Sequence, residues 1–207
     1  MNLLFRSPFF LPWIYPTLLW RVDTKVKELF LTFDDGPVAG PTEFVLDTLG
    51  KYNIKATFFC IGENIEKHPD IFSRIKADKH AVGNHTFNHI KGWNCTTEEY
   101  VSNVNRCSPF FDSLDNLFRP PFGRITKAQI NALKTYKIVM WDVLTQDYDQ
   151  HLSEEKCLRG SIRATRPGSI VVFHDSFKAE RNMRYTLPRY IDYFLNQGFS
   201  FKTIPVD

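Results

Sequence analysis

Along residues 28–204, short apolar runs alternate with longer stretches in which apolar residues recur every three or four positions. The first pattern reads as buried strand and the second as amphipathic helix. Residues 29–33 form the first strand. Residues 42–52 place Phe44, Val45, Leu46 and Leu49 at helical spacing behind a polar start at Thr42 and Glu43. Residues 55–60 are β-branched and aromatic, a second strand whose last residue, Cys60, reads as a buried thiol. Residues 65–79 read as a helix broken near Pro69, and Ala81 and Val82 as a short strand. Thr96-Thr97-Glu98-Glu99 opens a helix expected to reach about Ser113, disturbed at Pro109. Leu117 and Phe118 form a brief strand, residues 127–136 a helix and residues 137–141 a strand. Ser153-Glu154-Glu155-Lys156 opens a further helix that ends near Arg166-Pro167-Gly168. Residues 169–173 (strand), 185–197 (helix) and 199–204 (strand) complete the series.

Strands that alternate with helices imply parallel βαβ units, and this many repeats suits a closed or nearly closed barrel. Unusual polar residues gather where strands end. Asp34 and Asp35 follow the first strand, His85 the third, Arg119 the fourth, Asp142 and Asp147 the fifth, and His174 the sixth. In an α/β barrel that edge carries the active site.

Length and charge narrow the class. A chain of 207 residues suits one domain. The net charge is +3 with Lys and Arg scattered, which argues against nucleic acid and permits an anionic polymer. The four cysteines form no CxxC pair and no disulfide framework, which favours a reducing compartment. Residues 3–5 and 9–20 are apolar but interrupted by Arg6, Pro8, Pro12 and Pro16. That pattern offers neither a clean export signal nor a membrane span. Residues 1–27 are therefore expected to pack on a domain spanning 28–207, and a cytoplasmic or peripherally membrane-associated monomer is expected. Trp13, Tyr15 and Trp20 are the candidates for peripheral membrane contact.

Alone, Asp34-Asp35-Gly36-Pro37 reads as a turn. Two adjacent carboxylates nevertheless call for positive charge, from a metal or an arginine. His85-Thr86-Phe87-Asn88-His89 places two imidazoles four residues apart, on one face if that turn is helical. With an aspartate from another strand end, the pair makes a two-histidine, one-carboxylate metal set with open positions. Zn²⁺ is the default ion, with Co²⁺, Ni²⁺, Fe²⁺ or Mn²⁺ also compatible. His174 at the same edge reads as a general acid. Arg119 offers a cation on a rigid loop. Of Asp142, Asp147 and Asp149, one is expected to orient a histidine or bind the arginine, and the other two to be solvated.

Taken in order, Thr32 to Pro37, His85 to His89, Arg119-Pro120-Pro121-Phe122-Gly123, Trp141 to Tyr148, and Ile170 to Asp175 resemble the five motifs of the polysaccharide deacetylases, the NodB-homology domain of carbohydrate esterase family 4. The resemblance covers residues 28–204. It implies a distorted (β/α)7 barrel and a metal-dependent hydrolase that removes N-acetyl groups from a peptidoglycan or chitooligosaccharide, with water activated at the metal as nucleophile. It further implies Asp34 as general base, Asp35, His85 and His89 as metal ligands, and Arg119 as the cation holding Asp34. His174 becomes the general acid, tuned by Asp147. The loop of Pro121 and Phe122 would supply an oxyanion donor through the Phe122 backbone N–H. Tyr148 would wall the groove, and Ile170 and Val172 would line the acetyl pocket. Phe122 stands where the family often has tyrosine, and Tyr148 where many members have tryptophan. Two alternatives remain open at this level: an amidohydrolase acting on a small non-sugar amide, and a non-catalytic carbohydrate-binding homologue.

Overall fold

The computed structural model describes residues 5–112 and 115–205; Leu3 and Leu4 of the apolar opening and the helix end expected at Ser113 lie outside the described residues. Eight strands are present among them: β1 Glu28–Asp34, β2 Thr57–Cys60, β3 Ala81–Asn84, β4 Leu117–Phe118, β5 Lys137–Ile138, β6 Val143–Leu144, β7 Ile170–His174 and β8 Ser200–Phe201. The helices are α1 Leu11–Ile14, α2 Pro41–Tyr52, α3 Gly62–Lys67, α4 Pro69–Ala77, α5 Thr97–Asn105, α6 Lys127–Ala132, α7 Glu154–Ala164 and α8 Glu180–Asn196.

The strands pair in the order β5-β4-β3-β2-β1-β7-β6, with β8 beside the start of β1, and every strand pair is parallel. The two ends of that path, β5 and β6, belong to one run of chain and are separated only by residues 139–142. The sheet therefore curls until its ends nearly meet. Counting residues 137–144 as one strand position gives seven, a distorted (β/α)7 barrel. The strand expected over 137–141 is instead two short strands, with residues 139–142 between them. The first pairs with β4 and the second with β7.

Residues of the N-terminal segment fill the seam. Leu19 exchanges backbone hydrogen bonds with Ile138 and Met140, Phe5 and Ser7 bond to Leu144 and Asp142, and Val22 bonds to Gly168. Leu18 and Trp20 are buried there. Of the three aromatics named for membrane contact, Trp20 is therefore inaccessible and Tyr15 half-buried, while Trp13 is 78% exposed. Among the described residues no helix is long and apolar enough to cross a membrane.

Strand alternation separates two layers. Leu29, Leu31 and Phe33 of β1, Phe58 of β2, and Val171 and Phe173 of β7 face the helices in one cluster. Phe30, Phe59, Ile170 and Ile204 fill the barrel interior with Leu117 and Val139. Position 32 and position 34 share the inward face of β1 with Phe30, and 172 and 174 share that of β7 with Ile170. Inward side chains thus change from apolar at the bottom to polar at the carboxyl ends.

Departures from the expected helices have local causes. The helix expected over 65–79 is two, broken at His68 with Pro69 opening α4. The helix expected to reach about Ser113 ends at Asn105, and Pro109 sits in a separate single turn. Helix α8 begins at Glu180, five residues before the apolar periodicity. Tertiary hydrogen bonds hold that first turn: Arg181 donates to the Leu152 carbonyl at 2.8 Å, and Asn182 to those of Asp147 and Asp149 at 3.1 and 3.0 Å.

Candidate active site

At the carboxyl ends of the strands a cavity of about 540 Å³ opens, and Asp34, Asp35, His85, His89, Val172 and His174 all reach it. Asp34 ends β1 on its inward face. Its Oδ1 accepts a 2.7 Å hydrogen bond from Nη1 of Arg119, whose side chain is fully buried. The guanidinium also donates to Thr32 Oγ1 and to the carbonyls of Val139 and Met140, and it lies 4.1 Å from the centre of the Phe59 ring. Arg119 lies on the loop after β4, as the sequence indicated, but its side chain is buried at the centre of the upper barrel. Burial lowers its pKa, opposed by the Asp34 charge, and the satisfied donors let a cation persist there.

Asp35 turns away from the strand at φ 85°. Its Oδ1 lies 3.4 Å from Nε2 of His89 and 3.9 Å from Nε2 of His85. All three ligand atoms lie within 4.8 Å of one another. A tetrahedral ion with bonds of about 2.1 Å needs donors roughly 3.4 Å apart, so the set fits a metal with small adjustments. Nδ1 of His85 is 2.8 Å from the Arg119 carbonyl, which fixes that ring nitrogen as donor and leaves Nε2 as the ligand atom. Burial, then the neighbouring His89, push the His85 pKa down to about 3; burial lowers that of His89 too. Both are neutral, as ligation requires.

The two histidines do not share a helical turn, contrary to the spacing argument. Residues 85–91 form an irregular loop, and Thr86 and His89 adopt φ of 66° and 57°. The loop folds back through a bond from the Ile90 N–H to Thr86 Oγ1, bringing the rings to 5.1 Å between centres.

His174 lines the same cavity from β7, the strand next to β1. Its Nδ1 is 2.8 Å from Asp147 Oδ1, and its backbone N–H donates to Oδ2 of the same carboxylate. Burial alone would lower the His174 pKa, but the charge and hydrogen bond of Asp147, with help from Asp35 and Asp34, raise it to about 9. Tyr148 meets His174 edge to face, with ring centres 5.0 Å apart. Phe122 lies at φ 59° in the turn Pro121–Gly123, and among the described residues nothing accepts from its backbone N–H. Its ring is 58% exposed and 4.6 Å from that of His89.

Not every expected residue reaches the cavity. Ile170 is fully buried two residues below Val172, about 6.6 Å down the strand, and belongs to the barrel interior. Pro121 is buried behind the turn that it opens. Asp142 is buried rather than solvated, and it pairs with Arg166 and Ser169 away from the cavity. Asp149 caps a turn through the His151 N–H.

Sequence reading assigned no role to Asp175, although it adjoins His174. Its carboxylate accepts from the Gly36 N–H at 3.0 Å and from Thr42 Oγ1 at 2.6 Å, pinning the loop that carries Asp34 and Asp35. Burial pushes its pKa up to about 7, opposed by the Thr42 bond. Asn182, which holds the Asp147 loop, carried no sequence signal. Lys91, Arg124 and Lys178 also line the cavity and were unmarked.

Comparison with known proteins agrees with this geometry. The family model described as polysaccharide deacetylase matches residues 21–141. A peptidoglycan-N-acetylglucosamine deacetylase of Bacillus cereus is 32% identical over 185 residues, 86% of this chain and 67% of that protein. A second from the same organism is 30% identical over 191 residues, covering 89% and 90%. The crystal structure of the Bc1960 peptidoglycan N-acetylglucosamine deacetylase superposes with a TM-score of 0.85 at 28% identity, covering 96% of this chain and 95% of that one.

Proposed function

The chain belongs to the polysaccharide deacetylase family, and from that membership we propose that it hydrolyses the N-acetyl group of an N-acetylated carbohydrate, releasing acetate and a free amine. The observation that carries the reading is that the Asp34–Arg119 pair and the Asp147–His174 pair, on neighbouring strands, border one cavity with Asp35, His85 and His89. A binding platform alone has no use for a base and an acid beside one metal set.

Asp35, His85 and His89 would hold a divalent cation, and their oxygen and nitrogen donors suit Zn²⁺ first. Such an ion supplies Lewis acidity toward a carbonyl oxygen and acidifies water. Asp34, oriented by Arg119, takes a proton from the attacking water. The Phe122 N–H, with no acceptor among the described residues, is available to a developing oxyanion; one such donor contributes about 3 kcal/mol. His174, protonated and steered by Asp147, gives its proton to the departing amine nitrogen. Tyr148 and Phe122 present ring surface to the sugar, and Val172 faces the acetyl methyl.

Acetate release from N-acetylated glycans, with zinc or cobalt supplied and then chelated, tests the proposal. Activity should vanish with chelator, and Asp34→Asn should lower kcat/KM by roughly 10²–10⁴-fold. Turnover that ignored the chelator would overturn the metal-dependent reading. No acetate from any glycan, or preferential cleavage of a small cyclic amide, would overturn the deacetylase reading.

A further inference from the structure

Three loops that carry active-site groups each place a cation at the mouth of the cavity. Lys91 follows His89 by two residues, Arg124 follows Phe122 by two, and Lys178 follows His174 by four. All three line the cavity, Lys91 half-buried and the other two exposed. The Arg124 guanidinium lies 4.1 Å from the Trp93 ring centre, and the Lys178 ammonium 5.4 Å from that of Tyr148. Ring faces thus hold two of the cations at the rim.

No carboxylate pairs with any of the three among the described residues. The carboxylates that line the cavity, Asp34 and Asp35, are engaged by Arg119 and by the ligand set. Asp147 is engaged by His174. The rim charge is therefore uncompensated, and a divalent ion would add to it. A cleft lined by one sign of charge concentrates ligands of the other sign. A neutral glycan offers these side chains hydrogen-bond acceptors but no opposite charge.

We propose that Lys91, Arg124 and Lys178 form an anion-reading rim that selects N-acetylated glycans bearing a carboxylate close to the reacting acetamide over neutral ones. The inference rests on the deacetylase reading above and names its substrate class. Arg124 offers the planar fork that matches a carboxylate, and the two lysines act as point charges.

Two probes isolate the charge: an N-acetylated oligosaccharide whose alternate sugars carry ether-linked carboxylates, and the same compound with those carboxylates methyl-esterified. With the metal-loaded protein, kcat/KM for acetate release should favour the acid by roughly tenfold, the sum of a few exposed ion pairs. That ratio should shrink as ionic strength rises from about 0.1 M to about 1 M and the Debye length falls from about 10 to about 3 Å. Replacing the three together (Lys91→Gln, Arg124→Gln, Lys178→Gln) should bring the two probes within about twofold of each other. Calorimetric binding of both probes to the Asp34→Asn variant supplies a readout independent of turnover. Equal handling of acid and ester by the native protein, or a preference that survives in the triple variant, overturns the rim. Absence of acetate from both probes and from every other N-acetylated glycan tried, with the acid still bound more tightly, overturns the deacetylase reading and supports the rim.

Discussion

His174 and Asp147 show how a side chain acquires a role from its neighbour. Burial by itself favours a neutral imidazole, yet the Asp147 carboxylate keeps His174 protonated up to about pH 9. The bonded form is the charged one, so its stabilisation is complete below 6.5 and is lost as pH rises through about 9. The same cation is the proton donor. Asp147→Asn should therefore move the alkaline limb of the kcat/KM profile toward the ordinary histidine value of 6.5, with the acid limb left in place. A profile measured across pH 5–10 checks this, and an unmoved alkaline limb would remove Asp147 from its positioning role. By residue type alone Asp147 was one of three acids after a strand, and only the family resemblance singled it out. Which of them meets His174 depends on a loop that Asn182 holds from a distant helix.

Strands and loops divide the work at the level of elements. The period of two along β1 and β7 sends one face to the helices and the other into the barrel, so Asp34 and His174 rise from the inward face side by side; residue 34 is the partner of residue 174 in the ladder. The loops then depart from ordinary backbone. Asp35, Thr86, His89, Phe122 and Gln146 all have positive φ, strain of the kind that collects at functional sites. Gly36 is required for a different reason. A Cβ there would stand 2.0 Å from Asp175 Oδ2, in the contact that pins the Asp34-Asp35 loop. Gly36→Ala should cost about 1–3 kcal/mol of stability and depress kcat/KM, both measurable on the same preparation. Gly50, exposed in α2 with open space beside it, is the control. Gly50→Ala should add about 0.5–1 kcal/mol and leave turnover unchanged. Equal effects of the two substitutions would show that the Asp175 contact does not matter.

Across the whole molecule, closure and acid response follow from what is buried. The sheet has edges at β5 and β6, and residues 5–7 and 18–22 cover that seam, which removes unpaired strand groups from solvent. His85 and His80 are buried with pKa values pushed by burial down to about 3 and about 4. The unfolded chain takes up their protons near 6.5, and the folded chain only near the lower values. Their contribution to stability is therefore full above about 6.5 and falls as pH drops toward 3–4, by up to about 1.4 kcal/mol per pH unit for each group. Asp175, raised to about 7, gains its proton in the folded chain over the same range and opposes that loss. Chemical denaturation at pH 7 and pH 5 of the native protein and of His80→Gln should therefore show the loss as a difference between the two proteins. Zinc at 100 times its dissociation constant should add about 2.7 kcal/mol at pH 7 and less at pH 5, where protons compete for the ligands. The same change in stability between the two pH values in both proteins would contradict the burial of a neutral His80.

The sequence by itself determined the alternation of strands and helices, and with it a parallel barrel whose chemistry lies at one edge. It also held the residues of the metal set and their partners, because hydrophobic period and residue type are local properties. Tertiary structure alone decided the rest. Barrel closure joins residues 5–22 to strands more than a hundred positions away. The depth of Ile170 follows from the register of β7 against β1. The convergence of His85 and His89 comes from left-handed loop residues rather than a helix. Arg119 became the buried centre through four partners supplied by two other segments, β1 and residues 139–140. The cationic rim exists only where three loops meet. Contacts of that kind are set by how the whole sheet curls, a long-range consequence that no window of neighbouring residues contains.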